Sequence, residues 1–67
     1  MNLVINREKK KFEQVTNLED ILLQLGIKSF DGMAVAVNEQ VVPKPGWKDC
    51  RPVDEDHITI IRAVQGG

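Results

Sequence analysis

Few side chains in this sequence could do chemistry, and they are scattered. Ser29 is the only serine, Cys50 the only cysteine and His57 the only histidine. A nucleophile needs a base within hydrogen-bond reach, and no motif around Ser29 supplies one. His57 opens a β-branched run and reads as a strand-edge histidine without a proton-transfer task. Cys50 has no partner for an internal disulfide, and with a single histidine it cannot complete a zinc site of the usual ligand count. It reads as a loop cysteine. Asp54, Glu55 and Asp56 form an acidic turn, which is expected to be solvated, because an exposed cation needs more oxygen ligands than this segment offers. No glycine-rich phosphate loop is present. The expectation is a chain with no metal site and no bound cofactor.

What remains is the end of the chain, Val64-Gln65-Gly66-Gly67. Two consecutive terminal glycines arise by chance in roughly one chain in two hundred, so the pair is suggestive and its context decides. A tail without side chains can enter a narrow channel, and its backbone can approach a nucleotide closely. The Gly67 carboxylate can attack the α-phosphate of ATP to give an acyl-adenylate. A sulfur nucleophile can then displace AMP and leave a thiocarboxylate. None of these steps needs a catalytic side chain on this chain; a partner enzyme would supply the nucleotide site, the metal and the charge stabilisation.

Such a tail needs a rigid body. Met1 to Asn6 alternates Met1, Leu3 and Ile5 against Asn2, Val4 and Asn6, the period of a half-buried strand. Asn6-Arg7-Glu8 supplies a turn, since asparagine tolerates left-handed backbone, and a second strand is expected from about Lys10 to Val15. Lys9, Lys10 and Lys11 read as a solvated hairpin. Thr16-Asn17-Leu18-Glu19 fits a capping box with Thr16 as N-cap and Glu19 three residues on. Asp20 adds first-turn charge of the sign the helix dipole favours. Leu18, Ile21, Leu22 and Leu25 share one helical face, and Gly26 gives the stop. Met33 to Asn38 and Val41-Val42 read as short strands around an Asn38-Glu39-Gln40 turn. Pro43 and Pro45 close the second of them. An irregular segment carries Trp47 to about Glu55, and His57 to Val64 is the fifth strand.

The order is β-β-α-β-β-β. One helix covers one face of a sheet, and the first and last strands are apolar enough for its middle. A central parallel pair flanked by hairpin partners gives an α+β, β-grasp (ubiquitin-like) fold: a mixed sheet of about five strands with one main helix on one face. At 67 residues a single domain, 1–67, is expected, with 64–67 as a flexible tail. A domain this small has little room for a deep substrate pocket.

Composition removes other classes. Nine basic and ten acidic residues leave a formal charge of −1, which gives no field to hold nucleic acid. Phe12, Phe30 and Trp47 are the only aromatics. The longest apolar run, Met33-Ala34-Val35-Ala36-Val37, is far too short to span a bilayer, and Met1 onward lacks a secretory signal pattern. A lone cysteine fits a reducing cytoplasm. A monomer is the default state.

The whole pattern resembles a family, the ThiS sulfur carriers of thiamin biosynthesis. Val35-Ala36-Val37-Asn38-Glu39-Gln40-Val41-Val42-Pro43 with Trp47 looks like that family's strand, Asn turn and Val-Pro segment. Asp56 to Gly67 looks like its closing strand and tail. The short length favours ThiS over the longer small subunit of molybdopterin synthase. Two turn positions depart from the pattern: Arg7 and Glu55 stand where the family often has glycine. The resemblance implies that Gly67 is adenylated by a ThiF-like adenylyltransferase using ATP and magnesium. Sulfur from cysteine, through a cysteine desulfurase, then makes the thiocarboxylate, which supplies thiazole synthase. Val64, Gln65 and Gly66 would enter the partner's active site, and the chain would itself be a carrier and not an enzyme.

Strand parity gives a docking surface. If Leu3, Ile5, Val35, Val37, Ile58 and Ile60 face the helix, then Val4, Ala34, Ala36, Thr59 and Ile61 face out. An exposed apolar face of this kind is expected to dock on the adenylating enzyme. Three other readings stay open: a carrier feeding another sulfur product such as molybdopterin, a non-covalent ubiquitin-like interaction module, and a modifier joined to lysines through Gly67.

Overall fold

Two hairpins with two-residue loops frame the sheet. The computed structural model describes residues 1–63. Strand β1 (Asn2–Ile5) pairs antiparallel with β2 (Glu8–Lys11), with Ile5 opposite Glu8, so only Asn6 and Arg7 form the loop. Strand β3 (Met33–Val37) pairs antiparallel with β4 (Gln40–Val42), with Val37 opposite Gln40, leaving Asn38 and Glu39. All four loop residues have positive φ: 48° and 71° in the first, 49° and 68° in the second. That is the type I′ geometry, whose twist matches that of the flanking strands. It corrects the expected second strand: a two-residue turn starts β2 at Glu8, not near Lys10, and it ends at Lys11. All four β2 residues are exposed, as expected of the lysine hairpin. Its ion pairs, Lys9–Glu55 and Lys10–Glu8, are exposed and contribute little.

Strand β5 (His57–Arg62) lies between β1 and β3, parallel to the first and antiparallel to the second. The sheet order is β2-β1-β5-β3-β4. The first and last strands therefore form the central parallel pair of a β-grasp sheet, as the apolar patterning predicts.

Helix α1 (Leu18–Gln24) covers one face, burying Leu18, Ile21 and Leu22, with Leu25 packed beside them. Each fully buried aliphatic side chain contributes about 1.5–3 kcal/mol relative to exposure. The cap sits one residue later than the sequence suggests. Asn17 is the N-cap; its side chain accepts the Asp20 N–H at 2.8 Å, and the Asp20 carboxylate accepts the Thr16 N–H at 3.0 Å. Asp20 thus takes the reciprocal role expected of Glu19. The cap moves because two loop carbonyls serve the next donors: Leu18 N–H reaches Cys50 O at 2.8 Å, and Glu19 N–H reaches Trp47 O at 3.4 Å. At the other end Gly26 has φ of +84°, its N–H bonds Leu23 O, and Ile27 N–H bonds Leu22 O. These are the paired bonds of a Schellman motif.

The segment after β4 is less irregular than expected. A 3-10 turn, Lys44–Gly46, drives Trp47 into the core at 1% exposure. Trp47 Nε1 donates to Val42 O at 2.8 Å, and its ring meets Phe30 edge-on at a centroid distance of 5.3 Å. Phe12, just past β2, is also buried. Cys50 is half-buried against the same core. Among the described residues no helix is long and apolar enough to cross a membrane.

Candidate functional site

The last strand outruns its neighbour on one side. Backbone pairing of β5 with β1 stops at Ile5 opposite Ile58. There the chain turns away at Asn6, and the Asn6 side chain continues the ladder. Its Oδ1 accepts Ile60 N–H at 2.8 Å and its Nδ2 donates to Ile60 O at 3.3 Å. Asn38, at the other hairpin tip, holds the start of the strand: Oδ1 accepts His57 N–H and Nδ2 donates to Asp56, both at 2.9 Å. Both asparagines thus combine a left-handed backbone with a clamp on β5. Their turn role is visible in the sequence; the clamps are not, because they involve residues distant along the chain.

Beyond Ile60 only the β3 side remains. Ala34 pairs with Ile61 and Met33 with Arg62. Ala63 N–H then bonds Gly32 O at 2.8 Å. The Arg62 guanidinium donates to Ser29 O at 2.9 Å and lies 3.7 Å from Met33 Sδ. The loop from α1 to β3 therefore ties down the last described residues. Gly32 adopts φ of +67°, and a Cβ there would sit 3.7 Å from Ala63 O; its backbone conformation, more than lack of space, calls for glycine. The expected tail residues Val64, Gln65, Gly66 and Gly67 lie outside the described residues.

The outer sheet face matches the parity reading. Leu3, Ile5, Val35 and Ile58 are buried on the helix side, and Val37 and Ile60 pack against them. On the opposite face Ala34, Thr59 and Ile61 are exposed, and Val4 and Ala36 are half-buried. The register places Ala34 beside Ile61 and Ala36 beside Thr59. It also adds Val41, His57 and the β2 lysines Lys9 and Lys11, which lie opposite Val4 and Asn2. Val41, 68% exposed, lies opposite Ala36, and His57 lies beside Val4. Val41 could have been found by reading Asn38-Glu39 as a two-residue loop, which pairs Gln40 with Val37 and Val41 with Ala36. Ile61 is 62% exposed, so the face carries two exposed large aliphatic side chains, with Lys9 and His57 on its β1 side.

The acidic turn is put to structural use. Asp54 accepts Asn2 N–H at 2.6 Å, Asp56 accepts Val53 N–H at 2.8 Å, and Glu55 N–H reaches Asn2 O at 2.6 Å. Glu55 has φ of 74° and Arg7 of 71°. Both thus hold the left-handed backbone that glycine adopts without strain. Burial, with a smaller contribution from the negative charge of Asp56, pushes the Cys50 thiol above its ordinary value of 9.0, so it is protonated at neutral pH and a poor nucleophile. An open depression of about 680 Å³ lies between the hairpin tips, lined by Arg7, Glu39 and His57 among others. Among the described residues no polar or charged side chain is buried.

Comparison with known proteins agrees with this geometry. A solved structure of a thiamine biosynthesis protein (ThiS) from Geobacter metallireducens superposes with a TM-score of 0.84 over 100% of both chains, at 20% identity. A thiazole synthase from Paramagnetospirillum magneticum is 34% identical over 67 residues, all of this chain but 20% of that protein. The chain thus spans about one fifth of the length of that relative. The model of the ThiS family matches residues 2–67, and the chain belongs to the ThiS family.

Proposed function

We propose that this chain is a sulfur carrier of thiazole formation in thiamin biosynthesis, with the Gly67 carboxylate as its working group. The single observation that carries the reading is the family match, which runs to residue 67 and so includes Gly66 and Gly67. The thiazole synthase that contains a stretch similar to this whole chain supports a shared task with a synthase of that kind.

In the proposed cycle a ThiF-like adenylyltransferase binds ATP and magnesium and receives residues 64–67. A carboxylate oxygen of Gly67 attacks the α-phosphorus, and pyrophosphate leaves. Sulfur taken from cysteine by a desulfurase is carried as a persulfide, whose terminal sulfur attacks the acyl carbon. A C–S bond forms and the C–O bond to AMP breaks. A thiol reductant, such as free cysteine, then cleaves the S–S bond and is itself oxidised to a disulfide, and a thiocarboxylate remains. Thiazole synthase then consumes that sulfur. The chain contributes a side-chain-poor acyl donor carried by a rigid sheet, and the partner contributes charge stabilisation. The outer face around Val4, Ala34, Ala36, Thr59 and Ile61 docks on the adenylating enzyme, because contiguous apolar area left uncovered on a small domain marks a partner site.

The test is intact mass. The protein is incubated with ATP, magnesium, a cysteine desulfurase with cysteine, and a ThiF-like enzyme active on its own carrier. A gain equal to replacing one oxygen by sulfur, absent when Gly67 is deleted or a residue is appended after it, is the expected result. An unchanged mass would turn the assignment toward a non-covalent ubiquitin-like module.

A further inference from the structure

Strand β5 ends at Arg62, and the expected tail begins two residues later at Val64. Two attachments meet at this junction. One is the backbone bond from Ala63 N–H to Gly32 O at 2.8 Å. The other is the Arg62 guanidinium, which donates to Ser29 O at 2.9 Å and lies 3.7 Å from Met33 Sδ. Arg62 has the inward parity of Ile58 and Ile60, yet it is exposed, so burial does not hold it there. Its planar fork, reaching a carbonyl across the sheet's end, fixes the strand to the loop that follows α1.

We infer that Arg62 is a positioning residue for the proposed acyl transfer, setting the direction in which the chain leaves the sheet. This rests on the carrier reading above. The chain from Ala63 to Gly67 reaches at most about 14 Å at full extension. With the tail held extended by the partner, a swing of about 10° at the root would displace the tip by roughly 2.4 Å, whereas reaction needs the attacking atom held within a fraction of that. A root already fixed on the carrier leaves fewer residues for the partner to order. Arg62 therefore acts after docking, on alignment, while the apolar outer face acts on docking itself.

The experiment measures adenylation of the full chain by a ThiF-like enzyme that is active on its own carrier, for wild type, Arg62→Ala and Arg62→Lys. Amide spectra of the sheet confirm that each variant is folded. The expected result is a kcat about five- to tenfold lower for Arg62→Ala, the scale of one lost hydrogen bond, with KM little changed. Arg62→Lys recovers part of the loss. An unchanged kcat for Arg62→Ala, or a change confined to KM, overturns the inference and leaves the carrier reading standing. No adenylation of wild type overturns the carrier reading, and the inference falls with it.

Discussion

The side-chain amide of Asn6 stands in for a peptide group opposite Ile60, accepting its N–H at 2.8 Å and donating to its carbonyl at 3.3 Å. Asn6 also holds φ of 48°. The two roles can be separated. Asn6→Gly keeps the turn and removes the clamp; it is expected to cost about 1–2 kcal/mol, the scale of two hydrogen bonds that solvent partly replaces. Asn6→Ala adds the strain of a left-handed alanine, roughly 1 kcal/mol more. Urea denaturation of both variants measures the difference. Equal stability for Asn6→Gly and wild type would show that the clamp contributes nothing.

Arg7 and Glu39 occupy the second positions of the two type I′ turns at φ of 71° and 68°. Glycine takes that conformation without the Cβ clash but has more unfolded-state freedom to lose. The clash is the larger quantity, so Arg7→Gly and Glu39→Gly should each raise stability by about 0.5 kcal/mol. A fall in melting temperature for either variant contradicts this.

Trp47 links β4 and α1 from within the core, bonding Val42 O and carrying the loop whose carbonyls cap α1. Trp47→Ala should cost about 3–5 kcal/mol, comparable with the whole stability of a domain this small. Circular dichroism of that variant at room temperature should show a largely unfolded chain. Trp47→Phe should remain folded and lose about 1–3 kcal/mol, because Val42 O loses its donor. A fully stable Trp47→Ala variant would mean the side chain is not part of the core.

Cys50 is held protonated by burial and, to a smaller extent, by Asp56. Its alkylation by iodoacetamide should be slow near neutral pH and rise only above the ordinary thiol value of 9.0. The folded-state value is raised, so the linked stability is fully present below the unfolded value. It is lost as pH rises through the folded one. Alkylation of the native protein as fast as that of the urea-unfolded chain, in mildly alkaline buffer, would contradict the shift.

Ile61 lies exposed beside Ala34 on the outer face. Ile61→Asp should leave the fold within about 0.5 kcal/mol of wild type, as for most surface changes. It should raise KM for the adenylating enzyme by about tenfold or more, the effect of about 1.4 kcal/mol of lost docking energy. Unchanged activation kinetics with an intact fold would remove the outer face from the docking surface.

Strand order, the helix and the two faces of the sheet are legible in the residues alone. Period-two alternation in Met1 to Asn6 and the leucine face of Leu18 to Leu25 are local patterns, and each side chain's face follows from its position in them. The positive-φ turns are legible because asparagine announces them. Folding in three dimensions settled the rest. The helix cap moved to Asn17 because Cys50 and Trp47 bring carbonyls from about 30 residues away in sequence to its first turn, where the leading N–H groups lack intrahelical partners. Trp47 became core because a 3-10 turn swings it inward, and a turn that short leaves no periodicity to mark such a position. Val41 joined the outer face through the register of a two-residue loop, which decides the face of every residue after it. Arg62 found Ser29, and Asn6 found Ile60, only once the first and last strands and the loop after α1 lay side by side. Those pairings join residues whose spacing in sequence carries no signal, because a hydrogen bond depends on distance and angle in space.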